Sequence, residues 1–172
     1  GATVAPSAEQ TTVTLTRLNL RLDEDWWSLL QDATITATDH YRIRGLLLYS
    51  DAQQIAADGI VDFNGTQSVI VTVEDFRLGG VSSLVGLSGL DGTLSGSIDL
   101  TGPATAPNLD SRLALDLRSE NQEVGTLRLN AAYENLAMSV DSKLTHTDGS
   151  TLTAQGVLPI DLRLNATTPV DV

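Results

Sequence analysis

Strict alternation of apolar and polar residues is the feature that most constrains this chain. Leu113, Leu115 and Leu117 alternate with Ala114 and Asp116, and Leu127, Leu129, Ala131 and Tyr133 alternate with Arg128 and Asn130. Leu136, Met138, Val140 and Leu144 follow, against Ala137, Ser139 and Asp141. Successive side chains of a strand point to opposite faces, so this spacing describes strands with one apolar face. The same period runs through Leu18, Leu20 and Leu22, through Val69, Val71 and Val73, and through Leu94, Ile98 and Leu100 around Gly96. Leu152, Ala154 and Leu158 repeat it, and Ile160, Leu162 and Leu164 close the series.

Turn formers stand between these runs: Asp58-Gly59, Asn64-Gly65, Asp91-Gly92, Thr101-Gly102-Pro103, Ala106-Pro107-Asn108, Glu120-Asn121 and Asp148-Gly149. Asn-Gly and Asp-Gly suit tight primed hairpin turns, whose central positions need positive φ. The expectation is a meander of antiparallel strands, each of about five to eight residues. Two short stretches carry helical signals, Asp23 to Leu30 (acids followed by Trp26, Trp27 and Leu29) and Ser82 to Leu87. Neither is long enough to organise a fold, so the class is all-β with very little helix. No linker divides the chain, and residues 1–172 read as one β-rich segment, with Gly102 to Pro107 its best internal boundary.

Composition narrows the function. A hydrophobic fraction of 41% is enough for a core, while an aromatic fraction of 4% leaves the filling to aliphatic side chains. The net charge of −12 repels nucleic acids and anionic membrane surfaces, and no cluster of Lys and Arg offsets it. The absence of cysteine excludes disulfides, thiolate metal sites and cysteine nucleophiles. No run of eighteen apolar residues occurs, so no helix here is expected to span a membrane. The chain reads as a piece of a longer protein, with any anchor outside it.

A search for chemistry returns little. His40 and His146 each stand beside a turn without a partner at metal-ligand spacing. No nucleophile elbow, P-loop or dinucleotide fingerprint occurs. The glycines at 86, 89, 92 and 96 fit turns and close strand approach better than a phosphate cradle. Asp23-Glu24-Asp25 and Glu74-Asp75 lack the spacing of a calcium loop. Asn64-Gly65-Thr66 and Asn165-Ala166-Thr167 are sequons of the kind a Thr-rich chain contains by chance. Trp26-Trp27, the sole aromatic cluster, suits a buried end-plug or an interaction hot spot. No catalytic residue, metal ligand or cofactor is expected, and the chain is read as non-enzymatic.

From Val73 to Asp161 the chain resembles the TamB family, the inner-membrane component of the translocation and assembly module, and its AsmA-like relatives. The resemblance rests on Val73-Glu74-Asp75-Phe76-Arg77-Leu78, and on the run from Gly92 to Gly102 (GTLSGSIDLTG). Pro107-Asn108-Leu109, Leu113-Ala114-Leu115 and Gly156-Val157-Leu158-Pro159-Ile160-Asp161-Leu162 then follow in the family's order. The resemblance implies a long antiparallel sheet curled into an elongated trough, a β-taco, with an apolar concave face. It implies a periplasmic conduit for phospholipid acyl chains between inner and outer membrane, with a role in outer-membrane assembly. The full-length protein would be anchored in the inner membrane and would work with an outer-membrane barrel partner of the TamA kind.

On that reading the groove is lined by Leu94, Ile98, Leu100, Leu113, Leu115, Leu127, Leu129, Met138, Val140, Leu152 and Leu158. Aliphatic side chains suit a fluid acyl chain because they give contact without directional demands. The same alternation also builds the closed core of an ordinary sandwich or β-roll. A second functional reading is a structural or docking module that binds outer-membrane proteins by strand addition at an open sheet edge.

Overall fold

Alternating aliphatic residues and frequent turn formers produce one antiparallel sheet, drawn here from a computed structural model that describes residues 1–6, 10–22, 24–78, 91–119 and 122–164. Its strands are β1 (Ala2–Pro6), β2 (Thr11–Leu15), β3 (Asn19–Leu22), β4 (Asp25–Leu29), β5 (Ala33–Ala37), β6 (Tyr41–Ser50) and β7 (Gln53–Val61). They continue with β8 (Thr66–Arg77), β9 (Asp91–Pro103), β10 (Asn108–Ser119), β11 (Gln122–Glu134), β12 (Ala137–His146) and β13 (Thr151–Pro159). Spatial order follows chain order, β1-β2-β5-β6 and onward to β13, and the sheet does not close into a barrel. The exception is the β3–β4 hairpin, which joins the sheet only where Ser28 and Leu29 pair with Tyr49 and Leu48 of β6. Since β5 pairs with the same edge of β6 further along, β4 and β5 act as one interrupted strand.

Several expectations change. The acidic stretch at Asp23 to Leu30 was expected to turn as a helix, but its described residues form β4 instead. Leu22 pairs with Asp25 across a two-residue loop, and bulky aromatic side chains at 26 and 27 favour an extended backbone. Ser82 to Leu87, Glu120-Asn121, Gly86, Gly89 and the sequon at 165–167 lie outside the described residues. The strands are longer than expected, up to 13 residues in β9 and β11. Asp58-Gly59, Asp91-Gly92 and Thr101-Gly102-Pro103 are not turns: all three lie within paired strand. Residues 160–164 do not extend the sheet. The Leu162 N–H donates to Tyr133 Oη (3.0 Å) and the Leu164 N–H to the Ala104 carbonyl (3.1 Å), so this segment crosses back over the ends of the preceding strands.

Bulges hold the pattern together where the pairing slips. Arg44-Gly45 on β6 stand opposite Asp58 alone, and Glu74-Asp75 on β8 stand opposite Ser95 alone. In each case the residue facing the bulge supplies an acceptor for an extra amide: Gly45 N–H donates to Asp58 Oδ2 (3.0 Å) and Asp75 N–H to Ser95 Oγ (2.9 Å). Each bulge also keeps the apolar residues on one side, carrying Ile43 to Leu46 and Val73 to Phe76 in steps of three.

Gly96 occupies the middle of β9, opposite Val73 and Leu113, at φ 152°. A Cβ there would lie 2.1 Å from the Arg112 carbonyl oxygen, which the backbone of β10 cannot yield. Gly156 on β13 has open space around it. In urea unfolding, Gly96→Ala is therefore expected to cost about 2 kcal/mol or more, and Gly156→Ala to be neutral or slightly stabilising.

The β11–β12 turn is made by Asn135 and Leu136, at φ 53° and 62°. Two positive φ values describe a type I′ turn, in which the second position favours glycine. Leu136 is thus a turn residue, not the strand residue its place in the alternation suggested, and it is exposed. Leu136→Gly is expected to raise the stability by about 0.5–1 kcal/mol, seen as a higher urea midpoint at unchanged slope.

Candidate functional site

Directly opposed residues of antiparallel strands share a face, so register alone sorts the sheet into two sides. One side carries Ile35, Ile43, Leu46, Leu48, Ile55, Ala57, Val69, Val71, Val73 and Phe76 on β5 to β8. It continues through Leu94, Ile98 and Leu100 on β9, Leu113 and Leu115 on β10, and Leu127 and Leu129 on β11. Met138 and Val140 on β12, with Leu152 and Leu158 on β13, complete it. All eleven residues singled out as groove candidates therefore lie on one face. From β5 to β13 no Asp, Glu, Lys or Arg shares that face among the described paired residues. The other side takes the charge, with Asp110, Arg112 and Asp116 on β10, Arg128 on β11, and Asp141 and Lys143 on β12.

Burial on the apolar face is incomplete. Leu94, Ile98, Leu100, Leu113, Leu115, Leu127, Leu129, Met138 and Val140 are half-buried, and Leu152 and Leu158 on the edge strand are exposed. The fully buried apolar residues, Trp27, Ala33, Ala104, Leu117 and Tyr133, stand instead at or near strand ends. Interdigitating sheets of a closed sandwich would bury the middle of the face first.

One line of strand ends is held by the β3–β4 hairpin. Trp27 packs on Phe76 with ring centroids 5.7 Å apart, although β6 and β7 separate their strands. In a flat sheet the two strands would be about 14 Å apart, so the sheet coils sharply toward its apolar face here. A polar clasp sits beside these rings. The Asp25 carboxylate accepts from Gln53 Nε2 (2.9 Å) and from the Arg77 guanidinium (2.8 Å), which also reaches Asp51 (3.2 Å). Gln53 is buried, and its Oε1 accepts the Arg77 backbone N–H at 2.8 Å. Of the two tryptophans, Trp27 is buried, while Trp26 is exposed under the Arg21 guanidinium. Phe76 was not counted with the alternating residues, because a bulge puts it off the alternation, and nothing local marks Gln53 as buried.

At the opposite strand ends Gln67 is buried and joined to Asp62, accepting the Asp62 N–H (2.9 Å) and donating to the Asp62 carbonyl. Tyr133 is buried beneath the crossing segment at 160–164.

Neither histidine joins a cluster. His40 Nδ1 meets Asp39 at 2.8 Å and His146 Nδ1 meets Asp148 at 3.0 Å, each within its own turn. Hydrogen bonds from Ser150 and then His146 hold the Asp148 carboxyl down to about 2, and Arg163 does the same for Asp161. These carboxylates order exposed turns. Among the described residues no group of three or more His, Cys, Asp or Glu side chains is placed to hold a metal ion, and no helix is long and apolar enough to cross a membrane.

Compared with protein-family models, with curated proteins and with solved structures, the chain matches none of them. The uncharged face is thus the candidate site on its geometry alone.

The clasp gives a direct test of what holds the hairpin. Gln53→Ala removes a buried side chain with hydrogen bonds to the Arg77 amide and to Asp25, and is expected to cost about 1–3 kcal/mol in urea unfolding. Arg77→Ala deletes a half-exposed, solvent-screened pair and should cost about 1 kcal/mol or less. The reverse order would place the stability of the clasp in its charges.

Proposed function

We propose that this chain is a non-enzymatic lipid-conduit segment whose uncharged face carries the acyl chains of phospholipids or fatty acids. The observation that carries the reading is that face: rich in Leu, Ile and Val over nine strands, without Asp, Glu, Lys or Arg among its described paired residues, and half-buried through β12 rather than sealed. Burying one methylene is worth about 0.8 kcal/mol, so about ten of them give a gross gain of about 8 kcal/mol. Leu, Ile and Val recur along the face with small Ala, Gly and Ser between them, so a bound chain meets aliphatic contact on every strand without a deep trap. Charged side chains on the other face keep the sheet soluble while the apolar side is occupied.

The resemblance to the TamB family supports the same reading and supplies its setting. On it the sheet is a β-taco trough, the compartment is the periplasm, and lipid passes between inner and outer membrane in support of outer-membrane assembly. The inner-membrane anchor and the barrel partner belong to the full-length protein.

Native mass spectrometry of the purified protein, with organic extraction of what it carries, tests the reading. Phospholipid or fatty-acid adducts are expected on the parent chain and lost in Leu115→Asp and Leu129→Asp. Asn130→Asp, on the polar face, should keep them. Circular dichroism must show the two leucine variants still folded; if they unfold instead, the positions are closed core. A parent chain that carries no lipid and takes up no labelled fatty acid ends the proposal.

A further inference from the structure

The last strand, β13, pairs with β12 along one side and with no described residue along the other. All nine of its residues are exposed, including Leu152 at 67%, Val157 at 68% and Leu158 at 50%. Edge strands are ordinarily shielded by charged side chains, bulges or shortness. Thr151–Pro159 has no charged residue, and its pairing with β12 runs without a register shift. Its one shielding device is Pro159 at the far end, which lacks an N–H. The edge thus offers a regular row of amide and carbonyl groups, flanked by Leu152, Ala154 and Leu158 on one face and by uncharged Thr, Gln and Val on the other.

We propose that β13 is a self-association edge: two copies of the chain pair their β13 strands antiparallel about a two-fold axis through Gln155, joining two sheets into one. The register follows from parity. The apolar face of β13 holds the even-numbered residues Leu152, Ala154, Gly156 and Leu158. Antiparallel pairing keeps those faces together only when even residues meet even ones; a slip of one residue turns one copy's apolar row to the other side. Centring on Gln155 uses the whole strand. Leu152 then faces the partner's Leu158, Ala154 faces the partner's Gly156, and Thr153 faces the partner's Val157. Gln155 faces its own copy, and no charge meets a like charge anywhere along the pair.

Other occupants fit less well. An acyl chain cannot satisfy a row of N–H and C=O groups. The other open edges among the described residues are β1, with five residues ending in Pro6, and β3, with four, so both offer shorter ladders. A β1-to-β13 contact would also be head-to-tail and would grow without closing, whereas the two-fold pair closes at two copies. One pair of strands is small for a specific interface, so the dimer is reversible and concentration-dependent.

Sedimentation of the full chain between about 5 and about 500 µM, a range suited to a small interface, is the test. The expected result is a monomer at the low end and a dimer at the high end, with nothing larger. Gln155→Lys places two like charges on the axis and should weaken the dimer about three- to fivefold, and Gln155→Glu should do the same. An equimolar mixture of the two should regain the dimer as a mixed pair, a rescue that simple loosening of the strand does not give. A monomer throughout, growth beyond two copies, or a dimer indifferent to both substitutions and to their mixing would each overturn the proposal.

Discussion

The structure depends on one constraint: every pair of neighbouring strands keeps the same face parity from β5 to β13. A single uncorrected slip would throw the apolar row of one strand into the charged row of the next. The chain carries 22 acidic and 10 basic residues, so such a slip would desolvate charge at once. The bulges at Arg44-Gly45 and Glu74-Asp75 matter for this reason. Each adds a residue, turns the strand, and hands the pattern on with the apolar side unchanged. Hydrogen bonds in the ladder hold neighbours together, but the segregation of charge from Leu, Ile and Val decides which ladder forms.

Much of this was legible in the sequence where local pattern and tertiary pairing agree. Leu113, Leu115, Leu127 and Leu129 read as one-faced strand and lie on one face by register. Legibility fails where a residue's role is set by a neighbour distant in sequence. Gly59 and Gly92 look like turn glycines beside Asp, yet each lies where a Cβ would strike the backbone of the adjacent strand. Asp25-Trp26-Trp27 carries acids as a helix start does, and becomes strand because Asp25 reaches Gln53 and Arg77 while Trp27 finds Phe76. Ile160, Leu162 and Leu164 keep the alternation, but pairing to Tyr133 and Ala104 draws them across the strand ends.

Burial completes the picture of the candidate face. Side chains are sealed at the two lines of strand ends, around Trp27 on one and Tyr133 on the other, and left half-open between. Under the proposed conduit, movement along the strands from β5 to β11 would meet a buried end, and movement across strands would not. The conduit reading needs that second direction, which follows the order β5 to β13.

A barrel must satisfy a closure condition in which strand number, tilt and stagger are tied together, so adding a strand changes all the rest. This open meander satisfies none. Away from the Trp27 clasp and the crossing segment at 160–164, each hairpin answers only to its two neighbours, as in a solenoid, and the parity rule passes from one to the next without reference to the total. Inserting or deleting a whole hairpin outside those two contacts would leave every other strand pairing as it is and would lengthen or shorten the apolar face by two strands. In a fold of this kind, reach is a quantity that can be adjusted in steps of about 10 Å without redesign of any part.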